Sequence, residues 1–147
     1  MSAGDWFLPA QAYVPGRTAR HPEGLFDPVR ATVHPGMAAD DLAYSAAFRH
    51  GLFYIERGFY WEAHEVLEPV WMALPDGSVE RRFVQALIQT ANGLLKLRMG
   101  RPKAAQRLCR IARALLPETR DAQIMTVGAD EVHAMIDSLE VSVRCEL

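Results

Sequence analysis

The chain has 147 residues, half of them apolar and 23% charged, with a formal net charge of −2. That is the make-up of an ordinary globular chain, long enough to bury roughly two thirds of its unfolded surface in one core. It excludes a general electrostatic pull toward nucleic acid or an anionic membrane, and no apolar run approaches the ~20 residues a bilayer span requires.

The opening residues, Met1-Ser2-Ala3-Gly4-Asp5-Trp6, hold no basic segment followed by an apolar one, so no secretory signal is read there. Cys109 and Cys145 sit in no pairing motif, which fits a reducing compartment, and the expectation is a cytoplasmic protein. Residues 1–39 carry Pro9, Pro15, Pro22, Pro28 and Pro35 with Gly4, Gly16, Gly24 and Gly36, a density of breakers that excludes long helix. Yet Trp6, Phe7, Tyr13 and Phe26 are too apolar for a solvated tail. The segment therefore reads as an extended arm packed on the body or on a neighbouring subunit, the second option making it a route to a homo-oligomer. The bland alternative is a partly disordered lead-in. Tyr13 to Arg17, with Arg20 and His21, makes the arm locally basic; over the acidic helix described next it would find a partner, but no feature of the sequence places it there.

From Asp40 onward the apolar periodicity is helical. Asp40 or Asp41 is expected to cap a first helix over about Leu42 to Arg57, stopped by Gly58. A second spans about Tyr60 to Met72 and ends before Pro75, with Pro69 bending it. Asp76-Gly77 is a turn, and Ser78 caps a third helix over about Val79 to Met99, stopped by Gly100. Pro102 opens a fourth, which closes before Pro117. A fifth covers about Asp130 to Val143. No run alternates long enough to be a strand. The whole predicts a single all-α domain, 1–147: a compact bundle of about five helices, 40–147, built from two stacked αα-hairpins plus a C-terminal helix, behind the arm.

The two hairpins are suggested by a weak internal repeat. Residues 42–75 align without gaps onto 84–117, placing Gly51 on Gly93, Leu52 on Leu94, Gly58 on Gly100, Ala63 on Ala105, Leu74 on Leu116 and Pro75 on Pro117. The first copy also resembles a tetratricopeptide hairpin through Gly51, Tyr54, Gly58, Ala63 and Pro75, though it lacks that pattern's Trp-Leu opening. This bears on architecture only.

The chemistry is concentrated in the second helix, Gly58-Phe59-Tyr60-Trp61-Glu62-Ala63-His64-Glu65-Val66-Leu67-Glu68-Pro69-Val70-Trp71. At about 100° per residue, Phe59, Ala63, Val66, Leu67, Val70 and Leu74 form one aliphatic stripe. Trp61, Glu65, Glu68 and Met72 lie opposite, His64 and Trp71 at one edge and Glu62 near the other. A helix with apolar bulk on both sides is usually covered on both. His64 and Glu68, at i and i+4, can meet, and Glu65 is close enough to join them. One imidazole with two carboxylates is a plausible shell for zinc, iron or manganese. It is not the H-E-x-x-H metalloprotease pattern, because Glu68 stands where the second histidine would be. Spacing alone favours a solvated face over a metal site.

The third helix shifts that balance. It is apolar nearly all round except for a stripe of Gln85, Gln89, Asn92 and Lys96. Buried amides need partners, and the carboxylates of the second helix are the natural ones. Arg82, one turn earlier, could neutralise a carboxylate. A purely structural carboxylate–amide–guanidinium network explains the same residues equally well. His50, which the repeat places on Asn92, is at most a remote fourth ligand.

These residues resemble a known family. Gly58-Phe59-Tyr60-Trp61-Glu62-Ala63-His64-Glu65-Val66-Leu67-Glu68, then Trp71, Arg82-Phe83-Val84-Gln85-Ala86-Leu87-Ile88-Gln89, Lys96-Leu97-Arg98 and Gly100 are similar to domain of unknown function 309, over about residues 42–117. The resemblance implies a small all-helical fold and the label of a predicted metal-dependent hydrolase. It carries over Glu62, His64, Glu65, Glu68, Arg82, Gln85 and Gln89. Lys96 departs from a histidine that some relatives carry.

Two functions are therefore expected. In the first, the chain is a metal-dependent hydrolase: His64, Glu68 and Glu65 hold a divalent zinc, manganese or iron ion, Glu65 or Glu62 performs the acid–base step, and Arg82, Gln85, Gln89, Asn92 and Lys96 orient them. In the second, it is a non-catalytic helical-hairpin module for a peptide or protein, and the same cluster is a strut. The ligand in either case is an unidentified small molecule or peptide. Lys103, Arg107 and Arg110 form a basic stripe on the fourth helix, but no aromatic residue interleaves it, so it reads as a solvated face and nucleic acid is not expected. No Gly-rich phosphate loop and no G-x-S-x-G elbow is present, and no histidine lies near Cys109 in sequence.

Overall fold

The computed structural model describes residues 6–147; the first five positions of the predicted arm lie outside the described residues. The architecture is helical, with α1 Asp27–Arg30, α2 Ala39–Ala43, α3 Ala46–Arg57, α4 Tyr60–Ala73, α5 Val79–Arg98, α6 Pro102–Leu115 and α7 Ala129–Glu146. A two-residue pair, β1 Gln123–Ile124 and β2 Val127–Gly128, precedes α7. Helices α3 and α4 form one hairpin, α5 and α6 a second; α4 packs on α5, and α7 covers the second hairpin. No helix among the described residues is long and apolar enough to cross a membrane.

The local signals act as their chemistry requires. Gly58 ends α3 at φ 84°, a left-handed conformation that costs a residue with a Cβ about 1–2 kcal/mol. Ser78 caps α5 by accepting a hydrogen bond from the Arg81 N–H. Pro102 opens α6 in the first turn, where its missing N–H leaves no bond unmade. Gly51 permits the tightest approach in the first hairpin: a Cβ there would collide with the Leu67 side chain.

Two expectations are corrected. The first predicted helix is really two, α2 and α3, divided at Ser45. Its hydroxyl accepts from the Phe48 N–H, 3.2 Å away, and so starts α3 afresh, while neither Asp40 nor Asp41 acts as a cap. The chain also contains a β-hairpin. Ile124 pairs with Val127 through a two-residue turn in which Met125 and Thr126 have φ of 50° and 68°. Positive φ at both central residues is the turn that matches strand twist. Here it is made without the usual Asn-Gly, and Met125 and Val127 are buried in the core.

The described part of the arm packs on its own body. It crosses the first hairpin as an irregular strap, and Phe26, Val29 and Val33 join the core. An irregular strap has backbone groups that no helix satisfies. Three buried side chains of the hairpin receive them. His50 Nε2 accepts from the Phe7 N–H at 3.0 Å, the Tyr54 hydroxyl donates to the Phe7 carbonyl at 2.5 Å, and Glu62 Oε2 accepts from the Tyr13 N–H at 2.7 Å.

Candidate active site

The acidic helix α4 divides its polar residues between two clefts. Val66, Leu67, Val70 and Leu74 face the core, as the periodicity requires. Glu62 goes with them. It is fully buried, where the sequence placed it at the edge of the polar face. The cover that makes this tolerable is the arm. His21 Nε2 lies 2.5 Å from Glu62 Oε2, and the imidazole is itself only 9% exposed. Glu62 Oε1 is buried without a hydrogen-bond partner. Rings enclose the pair. Tyr13 meets Trp61 edge-on at 5.2 Å, Trp61 lies 5.9 Å from His21, and Phe26 stands edge-on to His21 at 5.4 Å.

A carboxylate only accepts, so the imidazole presents Nε2–H to Glu62, and in the neutral ring the lone pair is then on Nδ1. No hydrogen bond among the described residues engages that nitrogen. His21 lines a cleft of about 620 Å³, together with Tyr13, Arg20, Phe26, Arg30, Trp61 and Glu65. That volume is in the range of small-molecule sites. Its two arginines differ. The Arg30 guanidinium donates to the Glu65 carbonyl and lies 3.8 Å from the Glu65 carboxylate and 3.9 Å from that of Glu68. Arg20 has no carboxylate partner among the described residues and extends over the Tyr13 ring, 5.9 Å from its centroid.

The second cleft lies between α4 and α5. It encloses about 210 Å³ and is lined by His64, Glu68, Trp71, Gln85, Ile88, Gln89 and Asn92. His64 Nε2 and Glu68 Oε2 are 3.4 Å apart across one helical turn. The α4 residues expected to act together are thus separated. His64 and Glu68 line a cleft with Gln85, Gln89 and Asn92, with no hydrogen bond to these amides among the described residues, while Glu65 lines the arm cleft and Arg30 lies near both Glu65 and Glu68. Lys96 does not line either cleft, and Arg82 donates to the Ala114 carbonyl at 3.2 Å instead of to a carboxylate. His50 has both ring nitrogens engaged, Nδ1 with the Ala46 carbonyl and Nε2 with the Phe7 N–H, so no lone pair is left for a metal. Burial holds its pKa below the ordinary 6.5, although the bond to Ala46 acts the other way. Tyr54, buried and close to the Glu62 charge, has its pKa raised.

A divalent ion at this cleft would need a further ligand beside His64 and Glu68. Two donors, His64 and Glu68, fall short of the three or four protein ligands of a typical zinc shell. Among the described residues, no group of three or more His, Cys, Asp or Glu side chains is placed to hold a metal. The residue that sequence reasoning left unassigned is His21. A signal was present, a histidine in a basic, aromatic-rich arm, but nothing gave its destination.

Residues 48–108 match the model of a family described as Domain of unknown function (DUF309). The matched stretch holds nearly all of the first hairpin, α5 and the first half of α6, and it supports the resemblance drawn from the motifs. It contains Glu62, His64, Glu65 and Glu68 and excludes His21. No curated protein and no solved structure matches the chain.

Proposed function

We propose that the chain is a hydrolase whose general base is His21, held and oriented by Glu62, acting on a small molecule bound in the arm cleft. The observation that carries this reading is the fully buried carboxylate 2.5 Å from the imidazole nitrogen. A buried carboxylate fixes the ring's tautomer and orientation and stabilises the imidazolium that forms in the reaction. Nδ1 takes a proton from water as the water oxygen bonds to the acyl carbon or phosphorus of the substrate. The leaving group departs with the bonding electron pair and receives the proton. Arg20, which shares the cleft with the carboxylates of Glu23, Asp27 and Glu65, is the group assigned to hold a negatively charged part of the substrate or the oxyanion that develops. A metal-dependent version would require Glu65 to leave Arg30 and join His64 and Glu68.

The test is turnover of a panel of chromogenic esters and phosphomonoesters by the wild type, His21→Gln and Glu62→Gln. Either substitution should lower the rate about 10²- to 10⁴-fold, the usual contribution of a positioned base. A hydrolytic rate indifferent to both would end the proposal, and a rate abolished by chelation but not by His21→Gln would favour the metal version at His64 and Glu68. One observation favours a non-catalytic strut: Glu62 also binds the Tyr13 N–H and so fastens the arm. In that case no substrate is turned over and both variants simply melt earlier.

A further inference from the structure

A third opening lies away from both clefts of α4. It is bordered by α3 and α7, with half-buried Leu94 of α5 between them. Its walls are Leu52 and Ile55 of α3, Val127 of β2 and Met135 of α7. The volume, about 470 Å³, is that of a small-ligand pocket, and the lining is mainly apolar. Two carboxylates stand on opposite sides, Glu56 of α3 and Glu131 of α7, and Ser138 is the other polar lining residue. No lysine, arginine or histidine lines the groove, and neither glutamate has an ion-pair partner among the described residues. An apolar wall beside two unneutralised carboxylates disfavours apolar anions and favours apolar cations.

We propose that this groove binds a small hydrophobic cation, an alkyl or aralkyl amine, with its apolar part against Leu52, Leu94 and Met135 and its ammonium between Glu56 and Glu131. Length is set by the groove: a chain of several carbons covers the aliphatic wall while the ammonium stays at the wetter rim. Met135 gives the wall an adaptable surface that accommodates differing shapes.

Hexylammonium, hexanol and hexanoate serve as matched probes in a titration followed by the Met135 methyl resonance. Hexylammonium is expected to give saturable shifts, hexanol a weaker response and hexanoate none. The double variant Glu56→Gln with Glu131→Gln should weaken hexylammonium about fivefold to tenfold and bring hexanoate closer to hexanol. Both positions are exposed, so the variant keeps its fold, which an unchanged melting temperature verifies. Ser138→Phe fills the groove from its polar side and should abolish the hexylammonium shifts. Absence of saturable binding by hexylammonium, or equal binding of hexanoate, overturns the proposal. The result is independent of hydrolysis in the arm cleft, which none of these substitutions touches.

Discussion

The two hairpins share a scaffold and are covered by opposite means. Over the first lies an irregular arm; over the second lies a helix, α7. A helix satisfies its own backbone and needs only complementary side chains, so Ile136, Leu139 and Val143 suffice to seat α7. An irregular strap brings unpaired N–H and C=O groups and must be met by buried acceptors and donors. The repeat shows where the sequences diverge to meet this demand. His50, Tyr54 and Glu62 of the first hairpin, which receive the arm, fall on Asn92, Lys96 and Ala104 of the second. The polar groups of a candidate site thus arise where a non-helical cover has to be anchored. One such anchor, Glu62, carries a histidine on its other contact.

The largest effect is expected at Glu62. Glu62→Ala strands the Tyr13 N–H and the His21 ring and empties a core position, and it should cost about 3 kcal/mol in denaturant unfolding, with the arm becoming protease-sensitive. Ala104→Ser, its counterpart, should shift stability by less than ~1 kcal/mol; similar losses at the two sites would refute the asymmetry. Next come the glycines. Gly51→Ala forces the base of the Leu67 side chain aside and should destabilise by about 2 kcal/mol. At Gly93 the nearest obstacle is Leu139 Cδ2, 2.9 Å from an added Cβ. That is the movable end of a side chain, so Gly93→Ala should cost less than ~1 kcal/mol, helped by alanine's helix propensity. Equal melting temperatures for the pair would show that the two hairpins pack alike.

Acid sharpens the same contrast. His50 is held neutral by burial and must remain so to accept from Phe7. The unfolded chain takes up the proton first, so stability from this site is complete above the ordinary 6.5 and falls as pH drops toward the lowered folded value. Trp6 stacks on Phe53 at 4.7 Å and meets His50 edge-on at 5.0 Å, so its fluorescence should report arm release as the pH falls below the ordinary 6.5. His50→Gln should remove that step, and an identical acid transition in the variant would place the sensor elsewhere. The smallest effect is expected under α7. Arg113 reaches Asp137 at 2.7 Å and Glu140 at 3.1 Å, but the carboxylates are a third to a half exposed. Arg113→Ala should change stability by no more than ~1 kcal/mol and less in high salt.

The helices were legible because period and punctuation agree: Gly58, Ser78, Gly100 and Pro102 all act where the sequence puts them. The break at Ser45 was not, since Ala43 to Ala47 reads as continuous helix and only the serine's hydrogen bond divides it. The hairpin at Ile124 to Val127 was hidden by a Met-Thr turn that gives no glycine or asparagine signal. On α4 the types of residue in the site were legible and their grouping was not. The Glu65 carboxylate lines the arm cleft, 3.8 Å from the guanidinium of Arg30, 35 residues earlier. Glu62 points inward because His21, 41 residues earlier, meets it. Helical spacing carries no information about either partner.

Where His21 lies matters for anyone trimming this molecule. The stretch 48–108 keeps the glutamate and discards the imidazole. An excised piece would carry a carboxyl group stripped of its lid, which water would reach. An alignment confined to that stretch holds the acid alone and leaves out the ring that meets it.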